Sequence, residues 1–186
     1  MSTVSYIVIM LVCLIMSAYF SATETAFLSM NKTKMKTLAE KGDRGAALAC
    51  KLEERYDKLI STILIGNNIV NIALASIGTV MFTRELGDIG ATVSTVVVTI
   101  VVLIFGEISP KSIAKDCAER FACFSAPIIQ AMIWFFTPLC AVFSLWKKLL
   151  SKLFHLQPSN KMSQEELLMM VDEVQQDGSI DENEGG

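Results

Sequence analysis

Histidine and paired cysteines are almost missing from this sequence. Its 186 residues include one histidine, His155, and five cysteines, none of which forms a CxxC pair. Because zinc and copper sites are built from thiolate and imidazole ligands, this scarcity argues against a site for either metal. The cysteines are odd in number and lie mostly in or beside apolar stretches, so we interpret them as small buried side chains rather than disulfide partners.

The features of a catalytic site are missing as well. The sequence offers no paired nucleophile and base and no cofactor loop, so we predict that the protein is not an enzyme. No basic residue precedes the first apolar stretch, which argues against a cleavable signal peptide and favours a retained membrane anchor. The basic residues flank apolar stretches, and we therefore expect no nucleic-acid partner.

Long apolar stretches are what the sequence has instead. Hydrophobic residues make up 52% of the chain. They form blocks close to the ~20 residues that a helix needs to cross a bilayer. We therefore predict an all-α integral membrane protein with transmembrane helices at about residues 4–30, 59–82 and 89–109. A soluble helical protein is the alternative, and the block lengths disfavour it.

Basic residues predict the orientation of these spans. Eight lysines and arginines lie in residues 31–58, one lies between the second and third spans, and three lie in residues 111–120. By the positive-inside rule, both basic segments are cytoplasmic and the N-terminus is outside. We expect a multi-pass protein of the inner or plasma membrane with a cytoplasmic C-terminus. Within 31–58, the turn signal "KGDRG" predicts one or two amphipathic helices.

A fourth apolar block covers about residues 121–148. It has basic residues on both sides and contains Pro127 and Pro138. A spanning helix would place one basic flank outside, and each proline removes a helical hydrogen bond. We therefore predict a re-entrant or juxtamembrane helical hairpin on the cytoplasmic side, with a fourth span as the alternative.

The tail of the sequence is acidic. Residues 163–186 hold eight of the 19 acidic residues and no basic one, so residues 1–162 carry 16 basic residues against 11 acidic ones. We interpret residues 156–186 as an acidic linker. A calcium loop is the disfavoured alternative, because the spacing of an EF-hand is not met.

Polar residues within the first span are candidates for function, because they are costly at membrane depth. In "FSATETAFLS", Ser21 and Thr25 are four residues apart and share a helix face, with Glu24 beside it. Hydrogen bonds between helices are the alternative role of the hydroxyl groups, and an interfacial or paired acid is the alternative for Glu24.

The second span carries three asparagines in "IGNNIVNIALAS". Asn67 and Asn71 are four residues apart and share a helix face, whereas Asn68 points about 100° away. Asparagine, like serine and threonine, often serves only to bond neighbouring membrane helices, and this alternative stays open.

The third span ends in "FGEISPK". Pro110 has no amide hydrogen, so the carbonyl of Gly106 loses its helical partner and we predict a helix break. The freed oxygen and the neighbouring Glu107 carboxylate would join hydroxyl and amide oxygens of other spans in a cage of hard donors. Such a cage suits Mg²⁺, Ca²⁺ or Na⁺. An ion pair with Lys111 is the alternative role of Glu107.

These three motifs, in this order and on three spans, resemble the transmembrane domain of the CorC/CNNM family of magnesium transporters, whose bacterial members are also called haemolysin-like. The resemblance covers about residues 1–155, the expected transport domain. It implies a homodimer in the lipid bilayer with three spans per chain and a cytoplasmic belt of juxtamembrane helices. The implied metal ligands are Ser21, Asn67, Asn71, Gly106 through its carbonyl, and Glu107. We expect Glu24, Thr25, Asn68, Pro110 and Lys111 to support them.

The resemblance also implies a function. We expect Mg²⁺ transport, with Na⁺-coupled export by alternating access, Mg²⁺ as the transported ion and Na⁺ as a second candidate. A magnesium-sensing membrane regulator without transport activity is the alternative. Residues 156–186 resemble the lead-in to the family's cytoplasmic CBS-domain pair, which this sequence does not contain. ATP would bind only through those domains.

Overall fold

The structure is a computed structural model that describes residues 2–153, with side-chain positions for residues 2–137. The chain divides into two units, Met1–Cys140 and Ala141–Gly186, and the acidic linker expected at 156–186 lies outside the described residues. All regular secondary structure in the described part is helical, as the sequence predicts. The helices are α1 (Thr3–Ser29), α2 (Lys32–Glu40), α3 (Arg44–Glu53), α4 (Tyr56–Leu86), α5 (Gly90–Val101), a π-helical segment (Val102–Ile108), α6 (Ser109–Asp116) and α7 (Ala118–Leu153).

Three stretches of the described chain are long and apolar enough to cross a membrane: Thr3–Ser29, Tyr56–Asp116 and Ala118–Thr137. The second is 61 residues long and turns back on itself at Gly87, whose φ of 66° lies in the left-handed region. A β-carbon on Gly90 would lie 2.3 Å from the carbonyl oxygen of Phe82, so only glycine lets α5 begin this close to α4. The second and third predicted spans are therefore the two limbs of this stretch.

Helix α1 packs against both limbs. The Thr3 hydroxyl donates to the Glu85 carboxylate at one end of α1 and α4, and Phe20 packs against Gly66 further along. The start of α1 thus contacts the end of α4, so the two helices are antiparallel. The limb of α5 and α6 runs in the same direction as α1. The buried core includes Phe20, Met35, Leu52, Leu59, Ile63 and Ile129.

The outward faces of the apolar helices are themselves apolar. Large hydrophobic side chains are exposed along α1, α4 and α5, including Ile15, Ile72 and Ile100. A soluble monomer rarely exposes so much contiguous apolar surface, whereas lipid tails solvate it at no cost. This surface and the three candidate spans agree with the predicted membrane protein.

The segment between the first two spans forms two short helices, as "KGDRG" predicts. Gly42 has a φ of 95°, which ends α2, and the Asp43 carboxylate caps α3 by accepting from the amide of Ala46. The Cys50 thiol on α3 is half-buried rather than fully buried, and this partial burial raises its pKa. The cysteines whose side chains are described are all free, namely Cys13, Cys50, Cys117 and Cys123.

The helix break predicted at Pro110 is absent. The chain stays helical, but the turns over Val102–Ile108 widen to the π form, in which the amide of Ser109 donates to the carbonyl of Ile104 five residues back. Pro110 then occupies the first turn of α6, where its missing amide hydrogen is tolerated. The lost hydrogen bond is thus accommodated by a π-bulge, a distortion that is frequent at functional sites.

The hairpin predicted over 121–148 is also wrong, because α7 is one helix from Ala118 to Leu153. Pro127 cannot donate to the carbonyl of Cys123. Gly45 of α3 approaches that same carbonyl, and a β-carbon on Gly45 would lie 3.1 Å from its oxygen. The helix continues through Pro127, and Gly45 packs closely against the carbonyl that the proline leaves without a helical donor.

Candidate functional site

Three helices meet at Ser17 of α1, whose side chain is fully buried. Its hydroxyl donates to Oδ1 of Asn67 on α4 over 3.2 Å, and the amide of Asn71 donates to the same oxygen over 3.3 Å. A β-carbon on Gly106, in the π-helical segment, would lie 3.0 Å from the Ser17 oxygen. The polar residues of the first two spans therefore converge on the widened turns of the third.

Two buried oxygens near this junction have no hydrogen-bond partner within residues 2–137. They are Oγ of Ser21 and Oδ1 of Asn71. An unpaired polar atom buried at membrane depth destabilises the fold unless a ligand or water satisfies it. Both oxygens belong to the set of ligands predicted from the sequence, and both are available to accept.

The two unpaired oxygens lie on opposite sides of the junction. Ser21 is one helical turn, about 6 Å, beyond Ser17, and Asn71 is one turn beyond Asn67. Because α1 and α4 are antiparallel, these turns lead in opposite directions. Ser21 therefore lies on the side of Glu107, and Asn71 lies on the far side.

A small ionic cluster lies on the Ser21 side of the junction. The ammonium group of Lys111 lies 3.2 Å from Oε2 of Glu24 and 3.4 Å from Oε1 of Glu107. The three side chains are 32–42% exposed, so solvent reaches them. The contact between Glu107 and Lys111 that the sequence suggested is present, and Glu24 on α1 shares the lysine.

The donor set of the junction is made of oxygen atoms. The contacts there join the Ser17 hydroxyl and the side-chain amides of Asn67 and Asn71, and the Gly106 carbonyl and the Glu107 carboxylate belong to the neighbouring π-helical segment. Across the part of the chain that the structure describes, no group of three or more His, Cys, Asp and Glu residues could hold a metal. A cation bound here would accordingly be a hard ion held by mostly neutral oxygens and one or two carboxylates.

The structure adds one residue to the predicted set and sets two aside. Ser17 was not predicted, although it precedes Ser21 by four residues and continues the same helix face. Asn68 is exposed on the far face of α4, and Thr25 is half-buried one turn beyond Ser21. Neither contributes to the contacts that define the junction.

A separate group of hydroxyls joins α1 to α7. The buried Thr23 hydroxyl donates to the carbonyl of Tyr19 over 2.7 Å and lies 3.3 Å from the hydroxyl oxygen of Ser125. Both the threonine and the serine are fully buried. The first bond lies within α1, and the contact with Ser125 links α1 to α7, as small hydroxyl residues often do between membrane helices.

Comparisons with known proteins identify the family of this chain. The profile of the cyclin M (CNNM) transmembrane N-terminal domain matches residues 8–184. A UPF0053 protein of Haemophilus influenzae is 40% identical over 170 residues, which are 90% of this chain and 40% of that protein. The UPF0053 inner membrane protein YfjD of Escherichia coli is 35% identical over 161 residues, 84% of this chain and 38% of its own.

The chain spans about two fifths of the length of these curated relatives. The match extends over nearly the whole sequence, so it includes all three motifs and the helices that carry them. The resemblance seen in the sequence motifs is therefore confirmed. The chain is a membrane protein that belongs to the cyclin M transmembrane N-terminal domain family.

Proposed function

We propose that this chain moves Mg²⁺ across the membrane through the junction of α1, α4 and the π-helical segment. Export coupled to inward Na⁺ flow, by alternating access in a homodimer, is the form of transport that we propose. The N-terminus would lie outside and the C-terminus in the cytoplasm, as the basic residues indicate. The protein would reside in the inner or plasma membrane and would catalyse no covalent chemistry.

The observation that carries the proposal is the pair of buried oxygens without partners, Oγ of Ser21 and Oδ1 of Asn71. Polar atoms left unpaired at membrane depth are rare unless a ligand completes their bonding. They flank a junction where a π-bulge and a glycine bring main chain close to Ser17. A cation that passes through the junction would bond to Ser21 on the Glu107 side and to Asn71 on the far side, in place of the missing donors.

The cation would be small, divalent and oxygen-seeking. Mg²⁺ prefers six oxygen ligands and gives up its water reluctantly, so the protein must supply several oxygens in near-octahedral geometry. The proposed protein ligands on the Glu107 side are Ser21, Asn67, Gly106 through its carbonyl, and Glu107, with Ser17 added from the structure. Asn71 would bind the ion on the far side of the junction. Na⁺ also prefers oxygen ligands and is the second candidate for the same junction.

Glu107 would supply the charge of the site. The hydroxyl, amide and carbonyl donors are neutral, so a divalent ion needs at least one carboxylate near them to offset its desolvation. Glu107 follows Gly106 directly and lies on the same side of the junction as Ser21. Lys111 holds the same carboxylate at 3.4 Å, and the ion would have to compete with this contact.

The test is Mg²⁺ flux in liposomes that contain the purified chain and a trapped fluorescent indicator, with and without an opposing Na⁺ gradient. Glu107→Gln should abolish Mg²⁺ flux. The matched change Glu85→Gln, near the end of α4 that contacts Thr3, should leave the flux unchanged. Undiminished flux in Glu107→Gln would contradict the proposal. Binding of Mg²⁺ without any flux in the parent chain would point to a magnesium-sensing regulator instead.

A further inference from the structure

The ionic cluster of Glu24, Glu107 and Lys111 contains one more acid than the proposed ion site uses. Lys111 lies in the first turn of α6 and follows Glu107 by four residues. These two residues alone would form an ordinary i, i+4 ion pair. The shorter contact of the lysine is nevertheless to Glu24 on α1, at 3.2 Å against 3.4 Å. The ammonium group of Lys111 is therefore shared between the carboxylates of Glu24 and Glu107.

We propose that Glu24 is a positioning residue, which binds Lys111 and so leaves the Glu107 carboxylate free to take the transported cation. The inference rests on the function proposed above. Lys111 and a divalent cation are rivals for Glu107, because each is attracted to the same negative charge. Glu24 gives the lysine a second anion, so Glu107 can exchange one cation for the other without leaving an ammonium group unpaired.

The location of the cluster makes this second anion necessary. An unpaired charge at or near membrane depth is destabilising, and breaking one partner of such a pair leaves the other uncompensated. The three side chains are only partly exposed, so water does not fully replace a lost partner. Without Glu24, the lysine would remain on Glu107 and the cation would have to displace it.

The arrangement also ties ion binding to the contact between α1 and α6. When Lys111 pairs with Glu24 alone, the two helices are held by a full ion pair. When it is shared with Glu107, part of that attraction is directed to the π-helical segment that precedes α6. Occupancy of Glu107 by a cation would thus strengthen the link between α1 and α6, which is a coupling that alternating access requires.

A double-mutant cycle tests the role of Glu24 through its dependence on Lys111. We expect Glu24→Gln to weaken Mg²⁺ binding by about threefold to tenfold, the scale of one partly exposed ion pair. Lys111→Met should tighten binding, because the rival cation is removed. In the background of Lys111→Met, the further change Glu24→Gln should have no effect on the affinity.

The measurement is calorimetric titration of MgCl₂ into the purified chain for the parent, both single variants and the double variant. Lys115→Met, an exposed lysine one turn along α6, controls for the general loss of positive charge and should leave the affinity unchanged. Thermal unfolding of each variant is recorded in parallel, and Glu24→Asp replaces Glu24→Gln if the glutamine variant does not fold.

Three outcomes would overturn the inference about Glu24. Equal loss of affinity from Glu24→Gln with and without Lys111 would make Glu24 a ligand, and loss of affinity in Lys111→Met would make the lysine a support of the site rather than a rival. If Glu24→Gln leaves the Mg²⁺ affinity unchanged while Glu107→Gln abolishes binding, the role of Glu24 is rejected and the proposed ion site is retained. Full binding in Glu107→Gln would instead reject the proposed ion site.

Discussion

The hydroxyl oxygen of Ser17 lies 3.0 Å from the point that a β-carbon on Gly106 would occupy. Contacts this short between a real β-carbon and a neighbour are uncommon, so the serine could not keep its place beside any larger residue. The same hydroxyl donates to Asn67, which makes it the common contact of three helices. The geometry of the proposed ion site therefore depends on the absence of a side chain at position 106.

Gly106→Ala should weaken Mg²⁺ binding and transport while the protein still folds. The added methyl group would push Ser17 away from Asn67 by a few tenths of an ångström and would narrow the approach to the carbonyl at 106. We expect about a tenfold loss of affinity, equivalent to about 1.4 kcal/mol, in a calorimetric titration with MgCl₂. An affinity equal to that of the parent would show that this close approach does not shape the site.

Ser17→Ala tests the residue that the structure adds to the site. Removal of the hydroxyl leaves Oδ1 of Asn67 with one donor fewer and removes one candidate oxygen ligand, so we expect about a tenfold weaker Mg²⁺ affinity. Ser76→Ala is the matched control, because Ser76 is an exposed serine on α4 outside the junction. Equal affinities in the two variants would remove Ser17 from the site.

Pro110→Ala restores an amide that can donate to the carbonyl of Gly106. We expect the widened turns at Val102–Ile108 to relax toward an ordinary α-helix, with weaker Mg²⁺ binding because that carbonyl gains an internal partner. Titration with MgCl₂ measures the affinity, and amide hydrogen exchange of residue 110 reports the new bond. A variant that binds Mg²⁺ as tightly as the parent would show that the Gly106 carbonyl is not a ligand.

Gly90→Ala tests the turn that folds the second apolar stretch on itself. Alanine usually stabilises a helix relative to glycine, by roughly 0.5–1 kcal/mol. Here its methyl group would lie 2.3 Å from the main-chain oxygen of Phe82, which cannot move aside as a flexible side chain can. We expect a net loss of about 1–3 kcal/mol in the free energy of unfolding.

Thermal or denaturant unfolding in detergent measures that loss. Ala91→Leu, at an exposed position next to Gly90, should leave stability unchanged because its side chain has room outward. A Gly90→Ala variant as stable as the parent would mean that α4 and α5 do not meet as closely as this turn requires.

Much of the fold follows from local features of the sequence. The apolar blocks predict α1 and both limbs of the second stretch, because their length and composition leave few alternatives to a membrane helix. The turn between α2 and α3 is equally local, since "KGDRG" supplies a glycine at a positive φ and an aspartate as cap. In each case the residues of the segment itself determine its secondary structure.

The errors arose where a distant part of the chain decides the outcome. A proline in a helix costs one hydrogen bond, but whether the helix breaks depends on what surrounds the freed carbonyl. At Pro127 the freed carbonyl is packed against Gly45 of α3, and at Pro110 the chain widens into a π-bulge beside Ser17. Neither response can be read from the residues around the proline itself.

The candidate site shows the same division. The spacing of Ser21, Asn67 and Asn71 predicts which faces are polar, and the structure turns Asn67 and Asn71 toward one another. The pairing of Glu24 with Lys111 joins residues that are far apart in sequence and lie on different helices, so only the packed structure reveals it.

Diffraction from crystals grown with Mn²⁺, an anomalous scatterer that shares the oxygen preference of Mg²⁺, tests the central claim most directly. We predict one anomalous peak at the junction of α1, α4 and the π-helical segment, with oxygens of Ser21, Asn67 and Glu107 at about 2.1–2.2 Å from the ion. A well-ordered junction without a peak, with Glu107 still bonded to Lys111 at saturating Mn²⁺, would contradict it.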